Sequence, residues 1–258
     1  MTSDVIALAI VCKAPVAGQA KTRLSPPLSP EAASTLSRCF ITDVAATIQR
    51  VSDADLCRPV AVFTPADAVA AFDAVLPPGF VMLAQRGTDL GARLRNATSD
   101  LFADGCSALC LINADGPTLP PSLLGAAVAA LRQAGNGIVI GPAIDGGYYL
   151  LGLRRAHQDV VPALLDGISW STSQVLTQTL ARAASLGLPV TMLPLWYDVD
   201  DHAALSLLRQ DLFGSGAGLA TAAHPPSPAP ETRRYLLALF EDAETHQFGK
   251  EEPDSDTR

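Results

Sequence analysis

The chain has 258 residues and a formal net charge of −8, with 48% hydrophobic and 17% charged residues. That length can bury a sizeable core, and that composition excludes global disorder. An acidic balance, with a sequence pI of about 4.9, argues against a nucleic-acid binder.

The charge is unevenly placed. No Asp or Glu stands between Asp4 and Glu31, yet Lys13, Lys21 and Arg23 all fall inside that interval. The last 28 residues hold eight acids against four bases, which is half of the net excess. The five cysteines are odd in number and form no Cys-x-x-Cys pair. They read as reduced thiols of a cytoplasmic protein, without a disulfide framework or a zinc site. The apolar run at 5–12 is too short to span a bilayer, so no membrane association is expected.

In chain order, VIALAIVC (5–12) is apolar throughout and rich in β-branched residues, the pattern of a parallel strand buried on both faces. Ser29-Pro30-Glu31 is a helix start, followed by apolar residues at helical spacing to about Arg50. Residues 59–64 and 80–84 read as strands, with a short helix over 66–75 between them. A helix is predicted over 88–103 and a buried strand over 107–115. Another helix covers 121–134. Residues 137–142 and 147–153 read as two strands around a tight Asp-Gly-Gly turn. A helix near 173–186, a strand at 190–195 and a helix near 201–212 complete the alternation. Asp200 is a candidate cap for that last helix. Strands alternating with helices predict an α/β fold with a mostly parallel sheet.

The catalytic domain is expected over 1–213. Residues 214–230 are rich in Gly, Ala, Ser and Pro and read as a linker. Residues 231–244 read as a helix docked back on the domain, and 245–258 as a disordered acidic tail.

Ligands of such sheets bind beyond the carboxyl ends of the strands. Four strand ends carry chemistry. The loop KAPVAGQAKTRL (13–24) can line a polyphosphate with the backbone around Ala14, Pro15 and Gly18 and with the charges of Lys21 and Arg23. It lacks the glycines of a Walker A loop, and no G-x-G-x-x-G occurs. NADGPTLP (113–120) ends a buried strand on Asp115, a natural ligand for Mg²⁺ or Mn²⁺. GPAIDGGYYLLGL (141–153) offers Asp145 to hold or deprotonate an acceptor, with Gly146 and Gly147 allowing close approach. Tyr148 and Tyr149 point to opposite faces. WYDVDD (196–201) places Asp198 and Asp200 at another strand end, either of them a second metal ligand. Gln85, Gly87 and Gly91 in QRGTDLGARL (85–94) can meet a base or ribose, and Trp170 in ISWST (168–172) can cover an acceptor. Each has a bland counterpart: a solvated loop, a helix cap or a hairpin turn.

Taken in order, these motifs closely resemble the bacterial family of GT-A-like glycosyltransferases, or nucleotide-diphospho-sugar transferases, over about residues 5–240. Some of its members are known as radical-SAM/selenodomain-associated or arsenosugar-biosynthesis glycosyltransferases. The wider superfamily includes the molybdenum-cofactor and 2-phospholactate guanylyltransferases. The resemblance implies a GT-A fold, a Rossmann-like sheet with a nucleotide half and an acceptor half. It implies a divalent metal, Mg²⁺ or Mn²⁺, on Asp115, helped by Asp200, and phosphate binding by Lys21 and Arg23. Gly116 and Thr118 depart from the usual residues around the proline of the metal motif, and Asp201-His202 replaces the usual Thr-Pro after Asp200.

The expected function is metal-dependent glycosyl transfer from a nucleotide-diphosphate sugar to a small-molecule acceptor. Lys21, Arg23 and Asp145 are the catalytic candidates, and Asp145 to Tyr148 with Trp170 form the acceptor side. The alternatives are nucleotidyl transfer from a nucleoside triphosphate, releasing pyrophosphate, and a non-catalytic nucleotide-binding module. Nucleotide and acceptor are the expected partners. A homodimer is left open.

Overall fold

The opening apolar run becomes β1 (Ile6–Lys13). Its alternation divides the core: Ile6, Leu8 and Ile10 pack on one face of the sheet, Ala7 and Ala9 on the other. The computed structural model describes residues 4–133, 135, 137–214, 219 and 221–248.

β1 lies in parallel between β2 (Arg58–Thr64) and β4 (Ala108–Asn113), and β3 (Val81–Ala84) extends that half in parallel with β2. The other half starts with a hairpin. β5 (Ile138–Pro142) turns into β6 (Tyr148–Arg154), and β6 runs antiparallel between β4 and β5. β7 (Val190–Met192) pairs in parallel with β5. The strand order is β3-β2-β1-β4-β6-β5-β7. The fold is therefore α/β, with a seven-stranded, mostly parallel sheet.

Helices cover both faces, as strands apolar on both sides require. α1 (Pro30–Asp55), α3 (Pro121–Arg132), α6 (His202–Phe213) and α7 (Pro230–Phe248) pack on the face of Leu8 and Ile10. α2 (Leu90–Ala103), α4 (Val161–Leu164) and α5 (Val175–Ser185) pack on the face of Ala7 and Ala9. Ser29 caps α1 by accepting from Ala32 N, and Asp89 caps α2 by accepting from Ala92 N.

Several boundaries differ from the sequence pattern. The helix expected over 66–75 is a single 3-10 turn, Val69–Phe72. The strand expected over 190–195 stops at Met192, because Pro194 has no N–H for the ladder. Leu193 N and Trp196 N still donate to Ile140 O and Pro142 O and keep the chain on the same course. The 3-10 turn Arg155–Val160 and α4 were not legible in the pattern.

The C-terminal helix is longer than 231–244, running to Phe248. Its start is pinned by Asp43 in α1, whose two carboxylate oxygens accept from Glu231 N and Thr232 N at 3.1 and 2.8 Å. Within the expected linker, residues 215–218 and 220 lie outside the described residues. Its last part is packed: Ala229 is buried, and Ser227 N donates to Thr118 O. Of the expected disordered tail, 245–248 are helical, and 249–258 lie outside the described residues.

Candidate active site

Strand register levels the first pieces of the site. β1 and β2 pair Lys13 with Thr64, and β1 and β4 pair Val11 with Asn113. The ends of three parallel strands thus open onto one cavity of about 570 Å³. The hairpin turn between β5 and β6 and the segment after β7 reach the same cavity, bringing Asp145, Asp198 and Asp200.

Lys21 sits at the centre. Its backbone is left-handed, with φ 49° and ψ 41°. Its ammonium lies 2.7 Å from Asp115 Oδ1 and 2.8 Å from Asp200 Oδ1. It also donates to Val199 O at 2.7 Å. Burial is the largest influence and opposes the charge, but the two carboxylates outweigh it and hold the Lys21 pKa above its ordinary value. One ammonium between two carboxylates leaves the group with a net negative charge. Burial, with Asp200 beside it, holds Asp115 above the ordinary carboxylate range despite Lys21.

The two acid-bearing loops are laced together. Val199 N donates to Asp115 O at 2.8 Å. Asn113 divides its amide between Tyr148 O at 3.0 Å and Asp198 Oδ2 at 2.8 Å. Tyr197 and Thr118, both buried, share a hydrogen bond of 2.8 Å behind the site. Asp198 Oδ1 is buried and has no hydrogen-bond partner among the described residues. Burial, then the charge of Asp115, raises the Asp198 pKa to about 7. The helix cap is Asp201, which accepts from Ala204 N at 2.9 Å. That frees Asp200, the cap candidate from the sequence, to pair with Lys21.

Asp145 is exposed on the hairpin turn, where its Oδ1 accepts from Gly147 N at 2.9 Å. Gly146 has φ +89°, and a Cβ there would stand 2.3 Å from Ser173 O. Only glycine fits this contact between the turn and the 168–173 strap. The strap touches the opposite wall as well. A Cβ on Gly91 would stand 2.4 Å from Trp170 Nε1, and Trp170 packs edge-on against Tyr148 at 6.4 Å.

Of the residues singled out from sequence, the cavity wall contains Lys21, Arg23, Gln85, Asp115, Asp145 and Gly147. Tyr148, Trp170 and Asp200 also line it. Ala14, Pro15, Gly18, Gly87, Gly91 and Gly146 are not in that wall. Ala14 and Pro15 are buried, Gly18 and Gly87 are exposed on their loops, and Gly91 and Gly146 lie beneath the strap. Gln85 spends its amide hydrogens on Val62 O and Cys12 O, which leaves its oxygen as an acceptor.

The wall also holds Lys13, Ser37, Arg93 and the stretch 171–173. Lys13 was legible as part of the acid-free stretch. Ser37 was not, because it sits on a helix face that the pattern marks only as core. Cys12 lines the cavity too, but burial pushes its thiol up to about 12, so it supplies no thiolate.

No group of three or more His, Cys, Asp or Glu side chains forms a ready metal cluster among the described residues. The donors present are nonetheless hard oxygens, including the unpartnered Asp198 Oδ1. That set suits Mg²⁺ or Mn²⁺, which take one or two carboxylates and complete their shell with water and substrate phosphates. The residues therefore fit a cation shared with substrate. No described helix is long and apolar enough to cross a membrane.

Known proteins bear on this architecture. The family model "Uncharacterized protein conserved in bacteria (DUF2064)" matches residues 47–172. A Desulfovibrio desulfuricans G20 structure, titled a "putative nucleotide-diphospho-sugar transferase", is 30% identical over 94% of this chain and 97% of that one, with a TM-score of 0.75. The chain belongs to the DUF2064 family. More distant structures share its fold alone. CMP:2-keto-3-deoxy-manno-octonic acid synthetase, solved with CTP, is 12% identical over 80% of this chain and 97% of that one, with a TM-score of 0.51. A Mycobacterium tuberculosis H37Rv protein solved with manganese is 17% identical over 80% of this chain and 98% of that one, with a TM-score of 0.50. No curated protein matches the chain at a significant level.

Proposed function

We propose that this DUF2064 chain is a metal-dependent transferase that moves a glycosyl group from a nucleotide-diphosphate sugar to a small acceptor. The observation that carries the reading is the meeting of the Lys21 ammonium with Asp115 and Asp200, each within 2.8 Å, in a strand-end cavity whose wall also holds Asp145. The relative at 30% identity, by its printed description, supports the same donor class.

Asp115, with Asp200 or Asp198, would hold Mg²⁺ or Mn²⁺, which when bound offsets charge building on the leaving diphosphate. The chain's own groups do the rest. Lys13 and Arg23 line the cavity with no carboxylate partner among the described residues and meet phosphate oxygens. Lys21 stabilises negative charge on the leaving group from a dry position. Gln85 presents its free oxygen to the nucleotide. Asp145, fixed by Gly147 N, accepts the proton of the acceptor hydroxyl. Tyr148 and Trp170 wall the acceptor side and exclude water.

One observation favours a second reading. Lys13 and Arg23 lie beside Lys21 in a stretch free of acids, a charge density suited to a triphosphate. The same groups would then serve nucleotidyl transfer, with pyrophosphate leaving. A thermal-shift screen of nucleoside triphosphates and sugar nucleotides, with and without Mn²⁺, tests both. The first reading expects a sugar nucleotide to stabilise the protein more with Mn²⁺ and to yield free nucleoside diphosphate on turnover. Pyrophosphate release from a triphosphate would replace it with the second. No shift with any nucleotide would remove both.

A further inference from the structure

An ammonium carries three hydrogens and no acceptor. In Lys21 all three are committed: to Asp115 Oδ1 at 2.7 Å, to Asp200 Oδ1 at 2.8 Å and to Val199 O at 2.7 Å. The side chain is only 5% exposed. The left-handed backbone at φ 49° is a conformation that L-residues seldom adopt, and such residues cluster where structure serves function. The chain therefore bridges its own two best metal ligands with its own cation.

We propose that Lys21 is an internal counter-ion that keeps a free divalent cation off Asp115 and Asp200, so that the cation is taken up together with a di- or triphosphate. The inference rests on the metal-assisted reading above and adds an order of binding to it. A doubly charged ion on Asp115 would stand within a few ångströms of the ammonium and be repelled by it. A polyphosphate changes the balance twice over. Its oxygens give the ammonium new acceptors, and their charge offsets the repulsion. Asp198 keeps the site attractive to a cation meanwhile. Its Oδ2 is held by Asn113 Nδ2 at 2.8 Å, while its buried Oδ1 has no hydrogen-bond partner among the described residues.

The probes are Mn²⁺ and inorganic pyrophosphate, so that no base or sugar need be known. Mn²⁺ binding to the full chain is followed through the electron paramagnetic resonance of the free ion, and pyrophosphate binding by calorimetry with and without Mn²⁺. Lys21→Met is expected to bind Mn²⁺ alone at least tenfold more tightly than the native protein. In the native protein, Mn²⁺ is expected to raise pyrophosphate affinity at least tenfold. Equal or weaker Mn²⁺ binding by Lys21→Met overturns the inference. So does native affinity for Mn²⁺ that pyrophosphate leaves unchanged. If near-UV circular dichroism shows that Lys21→Met is unfolded, Lys21→Gln takes its place with the same expectation, and the native arm decides without either variant. Mn²⁺ and pyrophosphate binding that ignores Lys21 sinks this inference and leaves the proposed function standing. Absence of Mn²⁺ binding under every condition removes the metal-assisted reading as well.

Discussion

At the scale of single residues, the site rests on groups whose partners can be counted. Asn113 on β4 spends both amide hydrogens on the neighbouring half, one on Tyr148 O and one on Asp198 Oδ2. Replacing it by Ala leaves both Asp198 oxygens without a donor. Stability should fall by about 1–3 kcal/mol, the cost of an unsatisfied buried polar group. A lower urea midpoint at an unchanged slope is the expected record, and a midpoint within error of native would show that Asn113 holds nothing. Asp145→Asn keeps the turn but removes the proton acceptor. Turnover should drop roughly 10²–10⁴-fold with little change in nucleotide binding. Retained turnover would take Asp145 out of the chemistry. The residue scale is also where the sequence was most legible. Lys21, Asp115 and Asp200 stand out because a lone basic loop and acids at strand ends are unusual in so acidic a chain. Their direct pairing was not legible. It needs the register of β1 against β4 and the cap at Asp201, and neither is a property of local sequence.

At the scale of elements, two contacts hold separate parts of the chain in place. The first is the cap of α7 by Asp43. Asp43→Ala should cost about 0.5–2 kcal/mol, the usual value of a lost cap, read by chemical denaturation. The group also sets a pH dependence. Burial raises its pKa, and the hydrogen bonds from Thr232 and Glu231 only partly offset that. A carboxyl with a raised folded pKa favours the folded state most at pH below its unfolded value. The advantage fades as pH climbs from that value through the raised one. Asp43→Asn should flatten the stability profile across that interval, and an unaltered profile would mean that the group does not set it. The second contact is the strap. Gly91→Ala must push Trp170 away, because its Cβ would sit 2.4 Å from the indole nitrogen. A changed tryptophan emission is expected, and an unchanged spectrum would place the strap elsewhere. Most of the elements were readable from β-branched runs and helical spacing. The miscalled ones, 66–75 and 190–195, are short or contain proline, so tertiary contacts rather than periodicity decide their form.

At the scale of the whole molecule, charge and topology divide the labour. The half β3-β2-β1-β4 brings the basic loop and Asp115, and the half β6-β5-β7 brings Asp145, Asp198 and Asp200. A ligand that bridges the halves should stabilise the entire fold. At a hundred times its dissociation constant it adds about 2.7 kcal/mol. For a chain of this size each kcal/mol is worth about 2–4 °C in the unfolding midpoint. A sugar nucleotide with Mn²⁺ should therefore move the transition by several degrees as one step. A split transition, with one half unshifted, would show that the halves do not share the ligand. The alternation of strands and helices made the mostly parallel sheet readable, while its division into two halves was implied only by the family resemblance. The cavity wall was not fully readable, because Ser37 and Arg93 reach it from helices whose facing depends on the finished packing.

The cap on α7 has a consequence for how the chain folds. Asp43 and Thr232 are 189 residues apart in sequence, yet they meet directly. Closing a loop that long costs entropy, and a contact that distant forms late. During synthesis α1 emerges early, but the side that receives α7 stays open to water until the chain has passed Thr232. A helix that arrives late thus seals one that forms early. For that interval the growing chain presents an uncovered face of α1 that carries the Asp43 carboxylate, and a charge there opposes self-association until α7 docks.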